Sequence, residues 1–514
     1  MRLFFLAPLP FLVIPFFLKK LGPSGYGTWA VFFAASGITS VADLGLITTL
    51  SKHVAEFYTL KDFRALNGLI STGVFLYLAI ACLLSFILWF SSPLLIAVLF
   101  RGSPVSVHEL EILWRYLILL MFANILTMSF SSVVIGLQRM DLSTGINSLN
   151  LLSSAGFSVL FLGWNWGLRG VLYGYVLGAW ITLLASAYAM RRLLPEIKLS
   201  FLACRWAVAK EIFAFSLKTY VTQVAVLIHN QIEKLYLARF AGVVFVGWYD
   251  ISSDLALKLR GIPSLVLAPI MPAASELHAR SDQARLSQLY YRTHKYLALL
   301  GVPLVAYVVF VSRDFVDLWV GPSLRVIAIP ICVLLVVNFI NLTTGPGLQI
   351  LVGGGTLQPG LYSAIASMVL NVVLSLFLIR AYGFQGAVIG TSVSIVVGSV
   401  AFLYLFRRET RGTFPKVLRL AYLKPIVCSL GCIALISVLA HSERSSWSKL
   451  VVNGIVFGVA YLVLLLLVRF FDSSDLMMVE RFLPIPRIAR RIIPNAELGS
   501  SLLPDSERAQ TTVS

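Results

Sequence analysis

The sequence contains about fourteen stretches of roughly 20 mostly apolar residues, each long enough to cross a bilayer as a helix. Charged residues make up only 12% of the chain, against about 25% in soluble domains. Inside lipid, a single segment can pair all of its backbone polar groups only by forming a helix. The sequence therefore predicts an all-α polytopic membrane protein. The stretches lie near 3–21, 28–50, 68–90, 112–134, 143–163, 169–190, 212–237, 245–272, 293–311, 325–351, 359–379, 384–406, 422–440 and 450–470.

Glycines recur at the same spacing in two places about 216 residues apart, which is typical of duplication. The matched glycines are Gly167, Gly170 and Gly174 with Gly383, Gly386 and Gly390, and, upstream, Gly22 and Gly27 with Gly242 and Gly247. Such spacing also forms a smooth helix face against which another helix can pack closely. Because each half carries six spans, an even number, we expect two pseudo-symmetric lobes related by an axis along the membrane normal.

The predicted domains follow from this repeat. Residues 1–190 form the first six-helix lobe, and a basic cytoplasmic linker, 191–211, leads to the second lobe at 212–406. Two additional helices occupy 407–470. The remainder, 471–514, is expected to be a cytoplasmic tail that begins basic and apolar and ends disordered.

The formal net charge of +18 could indicate a nucleic-acid partner. However, roughly 25 Lys and Arg fall in loops on one side of the spans and about 11 on the other, which is the positive-inside pattern. No stretch could form a continuous basic face on a soluble domain, so no nucleic acid is expected. We expect a multi-pass protein of the inner (cytoplasmic) membrane with both termini in the cytoplasm.

The chain carries no sequence signature of an enzyme. It lacks a Walker A sequence, a Gly-rich nucleotide loop and a nucleophile elbow. The five cysteines mostly lie within apolar segments and are expected to be packing residues. We therefore expect no enzyme activity, no cofactor and no metal, and any uphill transport must be driven by an ion or substrate gradient.

Several motifs, in order along the chain, resemble those of the polysaccharide or oligosaccharide flippase family, which includes O-antigen flippases. They are Leu21–Trp29, Asp43–Leu46, Gly136–Asp141, Gln231–Phe240 and Val246–Tyr249. The resemblance covers roughly residues 1–470. The sequence departs from the family pattern in having Glu where the seventh-helix motif has Asp, and in lacking the usual basic N-terminal extension.

This resemblance implies a V-shaped, two-lobed transporter that moves an undecaprenyl-diphosphate-linked oligosaccharide to the outer leaflet for cell-surface polysaccharide synthesis. It implies as partners the polyprenyl-diphosphate-linked glycan and membrane lipids, with a polysaccharide polymerase as a further candidate, and we expect a monomer. The alternative is a cation-coupled multidrug antiporter of the same superfamily, which would share the fold. A membrane glycosyltransferase would need a large outer loop with catalytic acids, and the outer loops are too short for one.

Ionisable side chains inside spans are costly and therefore mark candidate functional sites. The seventh segment carries Lys218, His229 and Glu233 at helical intervals on roughly one face. Lys218 can reach the cytoplasmic surface, and together with His229 it is a substrate-binding candidate. Glu233 and Lys234 lie near the outer end, so we expect a solvated edge there, with ion coupling as the alternative for Glu233.

The eighth segment carries Asp254, Lys258 and Arg260 near the membrane midplane. Asp254 and Lys258 are four apart with the acid first, the favourable order for a helical ion pair. Arg260 has no charged partner three or four residues away, so it needs an anion from another helix or from a ligand. Its planar fork can bind a diphosphate bidentately, which makes Arg260 and Lys258 substrate-binding candidates.

The repeat places Asp43 opposite Arg260, because Asp43 corresponds to Pro263, one helical turn away. Substrate diphosphate could then compete with Asp43 for Arg260, and Asp43 and Asp254 become gating or ion-coupling candidates. Asp43 could instead cap or tether the cytoplasmic end of the second helix near Lys52.

Overall fold

The structure is a computed structural model that describes residues 9–37, 46–101, 103–201, 224, 227–229, 231–410, 414–439, 446–472 and 475. Within these ranges the chain is helical apart from short connections. Among the described residues, ten helical stretches are long and apolar enough to cross a membrane. The prediction of an all-α polytopic membrane protein is confirmed. Most of the 471–514 tail and half of the 191–211 linker lie outside the described residues.

The contacts divide the chain into two compact units. The first comprises Met1–Ile251 and Met368–Thr391, and the second comprises Ser252–Ser367 and Ser392–Ser514. Each unit is held by its own apolar contacts.

The first half of the chain contains helices α1 to α7. Their bounds are α1 Leu9–Ser36, α2 Leu46–Thr59, α3 Phe63–Leu99, α4 Val107–Gly136, α5 Met140–Gly163, α6 Gly167–Leu193 and α7 at 231–240. The expected third to sixth spans coincide with α3 to α6. A positive φ of 69° at Gly22 bends α1.

The second half contains α8 to α15. Their bounds are α8 Val243–Ser264, α9 Ile270–Ala279, α10 Gln283–Trp319, α11 Ala328–Leu342, α12 Gly345–Gly353, α13 Gln358–Thr410, α14 Phe414–Leu439 and α15 Trp447–Leu467, with 3₁₀ turns at Leu265–Leu267 and Pro322–Ile327. Helix α13 has 53 residues and bends at Gly383, where φ is 55°. It therefore corresponds to the two spans expected at 359–379 and 384–406.

The internal repeat is visible in local backbone conformation. Positive φ angles recur in pairs about 216 to 220 residues apart. Lys61 and Ser281 form one pair, with φ of 57° and 54°. Each precedes an Asp that caps a helix of 37 residues, α3 and α10 respectively. The other pairs are Gly22 with Gly242, Gln138 with Gly355, and Gly167 with Gly383. The boundaries of the two lobes and their symmetry axis stay predictions.

One matched pair of glycines meets directly within the first unit. An added Cβ at Gly27 would lie 1.8 Å from the carbonyl oxygen of Val243, and one at Gly247 would lie 3.1 Å from the Cα of Gly27. Helices α1 and α8 therefore cross here with their backbones in contact, which no residue larger than glycine allows.

The glycines of the repeated spacing also seat close helix contacts within the first unit. A Cβ at Gly174 would lie 2.3 Å from the backbone nitrogen of Ser158, and one at Gly386 would lie 2.0 Å from the carbonyl oxygen of Leu378. These approaches give dispersion contacts and short interhelical distances that lipid tails cannot replace. The packing interpretation is confirmed for Gly174 and Gly386, whereas Gly167 and Gly383 have positive φ angles, and an added Cβ there would meet no atom nearer than 4.0 Å.

The two C-terminal helices pack on α10 within the second unit. Cys428 and Cys432 of α14 are 3% and 0% exposed and lie with Phe457 and Tyr461 of α15 in one apolar cluster. The cluster includes partly buried residues of α10, such as Tyr307. These two cysteines are packing residues, as expected.

Leucine in place of Gly174 or Gly386 should lower the amount of folded protein in the membrane severalfold. The side chain would have to displace the backbone of the neighbouring helix, and overpacking of this kind is destabilising. Gly156 on α5 is the matched control, because a Cβ there meets no atom within 4 Å. Membrane abundance and monodispersity in detergent measure the effect. Equal yields of the three variants would contradict the packing role.

Candidate functional site

Arg260 lies on α8 in the second unit, and its side chain is half-buried. Its Nη2 donates a hydrogen bond of 3.0 Å to Oδ1 of Asn341 on α11. The Asn341 amide in turn donates from Nδ2 to Oγ of Ser399 on α13, at 3.1 Å. Nε of Arg260 is buried without a hydrogen-bond partner among the described residues. The guanidinium is therefore held through Nη2, while its Nε–H group has no acceptor among the described residues.

Arg260 has no carboxylate partner within the part of the chain that the structure describes. From the sequence, we expected Arg260 to pair with an anion from another helix or from a ligand. The residue on another helix that contacts it is Asn341, whose side chain is a neutral amide. Asp43, the expected opposite charge, lies outside the described residues, so its pairing with Arg260 stays a prediction. Because an amide carries no net charge, the positive charge of Arg260 is not cancelled by this contact.

The expected ion pair between Asp254 and Lys258 is present. Lys258 Nζ donates to Oδ2 of Asp254, four residues earlier on α8. The side chain of Asp254 is 40% exposed and that of Lys258 is 35% exposed. Lys258 and Arg260 therefore differ in their partners. The charge of Lys258 is balanced by Asp254 on the same helix, whereas Arg260 contacts the neutral amide of Asn341.

Glu233 forms a second polar cluster, which lies in the first unit. The residue is 0% exposed, and its Oε1 accepts hydrogen bonds from Asn371 Nδ2 at 2.5 Å and Thr391 Oγ1 at 2.8 Å. Tyr249 Oη lies 2.7 Å from the same threonine oxygen. Among the described residues, the other carboxyl oxygen, Oε2, has no hydrogen-bond partner.

This cluster can accommodate either charge state of Glu233. The Thr391 hydroxyl has one hydrogen, and the acceptors within its reach include Glu233 Oε1 and the carbonyl oxygen of Ala387 at 2.9 Å. It can donate to an ionised Glu233, or to Ala387 when Glu233 carries a proton. A buried carboxyl with such a neighbour can take up and release a proton or a small cation without leaving the hydroxyl unpaired.

Lys234, beside Glu233, is also buried. It is 7% exposed, and its Nζ lies 2.6 Å from Oδ1 of Asp250 on α8. The Tyr26 hydroxyl, on α1, donates to Oδ2 of the same carboxylate at 3.0 Å. The expectation of a solvated edge at Glu233 and Lys234 is therefore wrong. Helices α1, α8 and α13 cover these positions and supply the polar partners that water would otherwise have provided.

The other two substrate-binding candidates are not brought together with Arg260. Lys218 lies outside the described residues. His229 is half-buried in the first unit, and its Nδ1 has no hydrogen-bond partner among the described residues.

Sequence reasoning missed the uncharged residues of both clusters. Asn371 and Thr391 around Glu233, and Ser399 beyond Asn341, are single polar residues inside long apolar segments. One sequence feature could have pointed to Asn341, because this residue corresponds to Asn124 in the internal repeat. Amides and hydroxyls are inexpensive enough in a helix to occur without a functional role, so their positions alone do not identify a site.

Two relatives of this chain are named as an O-antigen transporter and a glycan biosynthesis flippase. The chain is 21% identical over 394 residues to a putative O-antigen transporter of Shigella flexneri, covering 76% of this chain and 92% of the relative. It is 22% identical over 400 residues to a probable low-salt glycan biosynthesis flippase of Haloferax volcanii, with 77% and 79% covered.

Solved transporters share the fold. The structure of the lipid II flippase MurJ in an inward closed conformation superposes with a TM-score of 0.74 and 15% identity, covering 93% of this chain and 98% of MurJ. An inward-facing multidrug transporter of the MATE family superposes with a TM-score of 0.63 and 15% identity, covering 79% of this chain and 94% of that one.

The sequence profile of one family spans more than half of the chain. It matches residues 4–278, which include most of the motifs noted above and both Glu233 and Arg260. The chain belongs to this family, which is described as polysaccharide biosynthesis protein.

Proposed function

We propose that the chain is a flippase that moves an undecaprenyl-diphosphate-linked oligosaccharide from the cytoplasmic to the outer leaflet. The membrane fold, the family and the names of the relatives support a role in glycan export. The observation that carries the proposal is the half-buried Arg260, whose hydrogen bond to Asn341 leaves its charge uncancelled. A cation of this kind inside a membrane protein attracts an anionic group, and the diphosphate is the anionic group of such a substrate.

Arg260 is the proposed diphosphate ligand, because its planar guanidinium can bind two phosphate oxygens at once. Lys258 adds a second positive charge if its ion pair with Asp254 opens, and Lys218 contributes a charge at the cytoplasmic end. His229 can hydrogen-bond a sugar or phosphate oxygen through its ring. Asp43 is proposed to compete with the diphosphate for Arg260 and so to act as a gate.

Glu233 is proposed as the ion-coupling residue. A completely buried carboxyl with a hydroxyl neighbour that can switch acceptors is suited to bind a proton or a small cation in one state and release it in the other. Asp254 is the second acid proposed to take part, since its charge changes partner whenever Lys258 moves to the substrate.

A cation-coupled multidrug antiporter is the second candidate function. The buried carboxyl of Glu233 favours it, because such transporters need acids to hold cations. The uncancelled guanidinium of Arg260 opposes it, since a fixed positive charge repels a cationic drug. Export of a cationic dye by the purified protein in vesicles, with no effect on lipid-linked glycan, would support the antiporter.

We further propose that the protein lies in the inner membrane with both termini in the cytoplasm, following the distribution of Lys and Arg. The two similar halves would form six-helix lobes at 1–190 and 212–406. A monomer suffices for this arrangement, and a polysaccharide polymerase is the proposed consumer of the exported glycan.

A strain that lacks the protein should accumulate lipid-linked oligosaccharide on the cytoplasmic leaflet, and the intact gene should restore surface glycan. Arg260→Ala should restore about tenfold less or lower, because a lost charge-assisted contact costs about 1.5–3 kcal/mol. Arg260→Lys should restore part of the export, since it keeps the charge but loses the bidentate geometry.

The matched control for these variants is Arg280→Ala. Arg280 is 64% exposed and pairs with Glu276 at the end of α9. Surface glycan is measured by labelling intact cells, and membrane abundance by immunoblot. Full restoration by Arg260→Ala would refute the diphosphate assignment.

Glu233→Gln should abolish most export while leaving membrane abundance close to that of the parent. Glutamine keeps the shape and can accept from Asn371 and Thr391, but it cannot change its charge. Glu276→Gln is the control, because Glu276 is 63% exposed. Transport into vesicles with and without an imposed ion gradient measures the coupling. Gradient-dependent export by Glu233→Gln at the parental rate would exclude Glu233 as the coupling residue.

The proposed topology predicts the reactivity of single cysteines in a background without the five native ones. A cysteine at Ser103 or Ser442 should react with an impermeant maleimide added to intact cells. Cysteines at Ser200 and Ser281 should react only after the membrane is opened. The reverse pattern would place the termini outside.

A further inference from the structure

A continuous chain of hydrogen bonds runs from Arg260 to the backbone of α13, entirely within the second unit. Arg260 Nη2 donates to Asn341 Oδ1 at 3.0 Å, and Asn341 Nδ2 donates to Ser399 Oγ at 3.1 Å. Ser399 Oγ donates in turn to the carbonyl oxygen of Ile395, one turn earlier on the same helix, at 2.8 Å. Ser399 is 2% exposed, so water does not compete for this end of the chain.

The donors and acceptors in this chain can be arranged in one order only. A serine hydroxyl has one hydrogen, and the Ile395 carbonyl can only accept it. Ser399 Oγ must therefore accept from Asn341, which only the NH₂ group of the amide can satisfy. The amide oxygen of Asn341 is then directed at Arg260, which can only donate. Arg260 and Ser399 together thus fix the Asn341 amide in one orientation, with its oxygen toward the guanidinium and its NH₂ group toward Ser399.

The charge of the acceptor at position 341 determines how much of the positive charge of Arg260 remains available to a ligand. A carboxylate at position 341 would form an ion pair and cancel the charge of Arg260. The amide oxygen holds the guanidinium in place and leaves the net charge available to a ligand. A guanidinium has five N–H donors, and within the described residues only the bond to Asn341 engages one, while Nε is buried without a partner.

We propose that Asn341 and Ser399 are positioning residues, which orient the Arg260 guanidinium toward the substrate diphosphate without neutralising it. Asn341 acts on Arg260 directly and Ser399 acts through Asn341. Neither residue has to touch the substrate. This inference rests on the proposed function, because it takes Arg260 as the diphosphate ligand.

The decisive variant is Asn341→Asp, which keeps the hydrogen bond to Arg260 but adds the cancelling charge. The purified protein in detergent should bind undecaprenyl diphosphate about tenfold more weakly or worse, since an internal carboxylate competes with the ligand for the same donors. Its thermal stability should be equal to the parent's or higher, because the new pair is mutually satisfied. A residue with a merely structural role would not separate affinity from stability in this way.

Ser399→Ala tests the hydrogen bond between Asn341 and Ser399. Without the hydroxyl, the Asn341 NH₂ group loses its acceptor, so the amide is no longer held in place and can rotate away from Arg260. Affinity for undecaprenyl diphosphate should then fall severalfold. Ser363→Ala is the matched control on the same helix, because the Ser363 hydroxyl also donates to its own helix, at Gly360, and is 8% exposed. That control should bind as the parent does.

Arg260→Ala separates the failure of this inference from the failure of the proposed function. If Arg260→Ala binds undecaprenyl diphosphate as tightly as the parent, the diphosphate assignment falls, and the positioning role falls with it. If Arg260→Ala loses binding but Asn341→Asp and Ser399→Ala retain it, the assignment stands and only the positioning role is overturned. Loss in all three, with parental stability of Asn341→Asp, is the result we expect.

Discussion

The structure depends on one constraint, which is that a polar group placed in a hydrocarbon environment must find its partner within the protein. The backbone meets this constraint by forming helices, and close packing at glycines lets those helices approach one another. Side chains meet it in clusters, since each buried charge draws polar groups from neighbouring helices. Lys234, Asp250 and Tyr26 form one such cluster, in which opposite charges and a hydroxyl satisfy each other.

The two candidate sites meet the same constraint without an ion pair among the described residues. Glu233 is surrounded by an amide and a hydroxyl, and Arg260 by an amide. Uncharged partners stabilise a charged group through dipoles but leave its charge in place, so the group can still respond to a ligand or an ion.

The sequence predicted the spans well because a run of about 20 apolar residues has few alternatives in a membrane protein. It also predicted the Asp254–Lys258 pair, which depends only on helical spacing. It failed at Lys234, for which position along the segment indicated a solvated end. Burial there is set by α1 and α8, whose crossing at Gly27 and Gly247 brings Tyr26 and Asp250 over the site. Such a contact joins residues about 220 positions apart, and no local pattern predicts it.

By itself the sequence determined the helical membrane fold, the internal repeat and the candidate charges, because hydrophobic length, glycine spacing and the cost of a charge in lipid are local properties. Only the tertiary structure decided which partner each charge has. The sequence left the partner of Arg260 open, and among the described residues it is Asn341, whose amide also donates to Ser399. The reason is physical. A single Asn or Ser in an apolar helix hardly changes the hydrophobic pattern, so the pattern does not reveal the hydrogen bond that it forms. Which charged group it contacts depends on which helix packs against it.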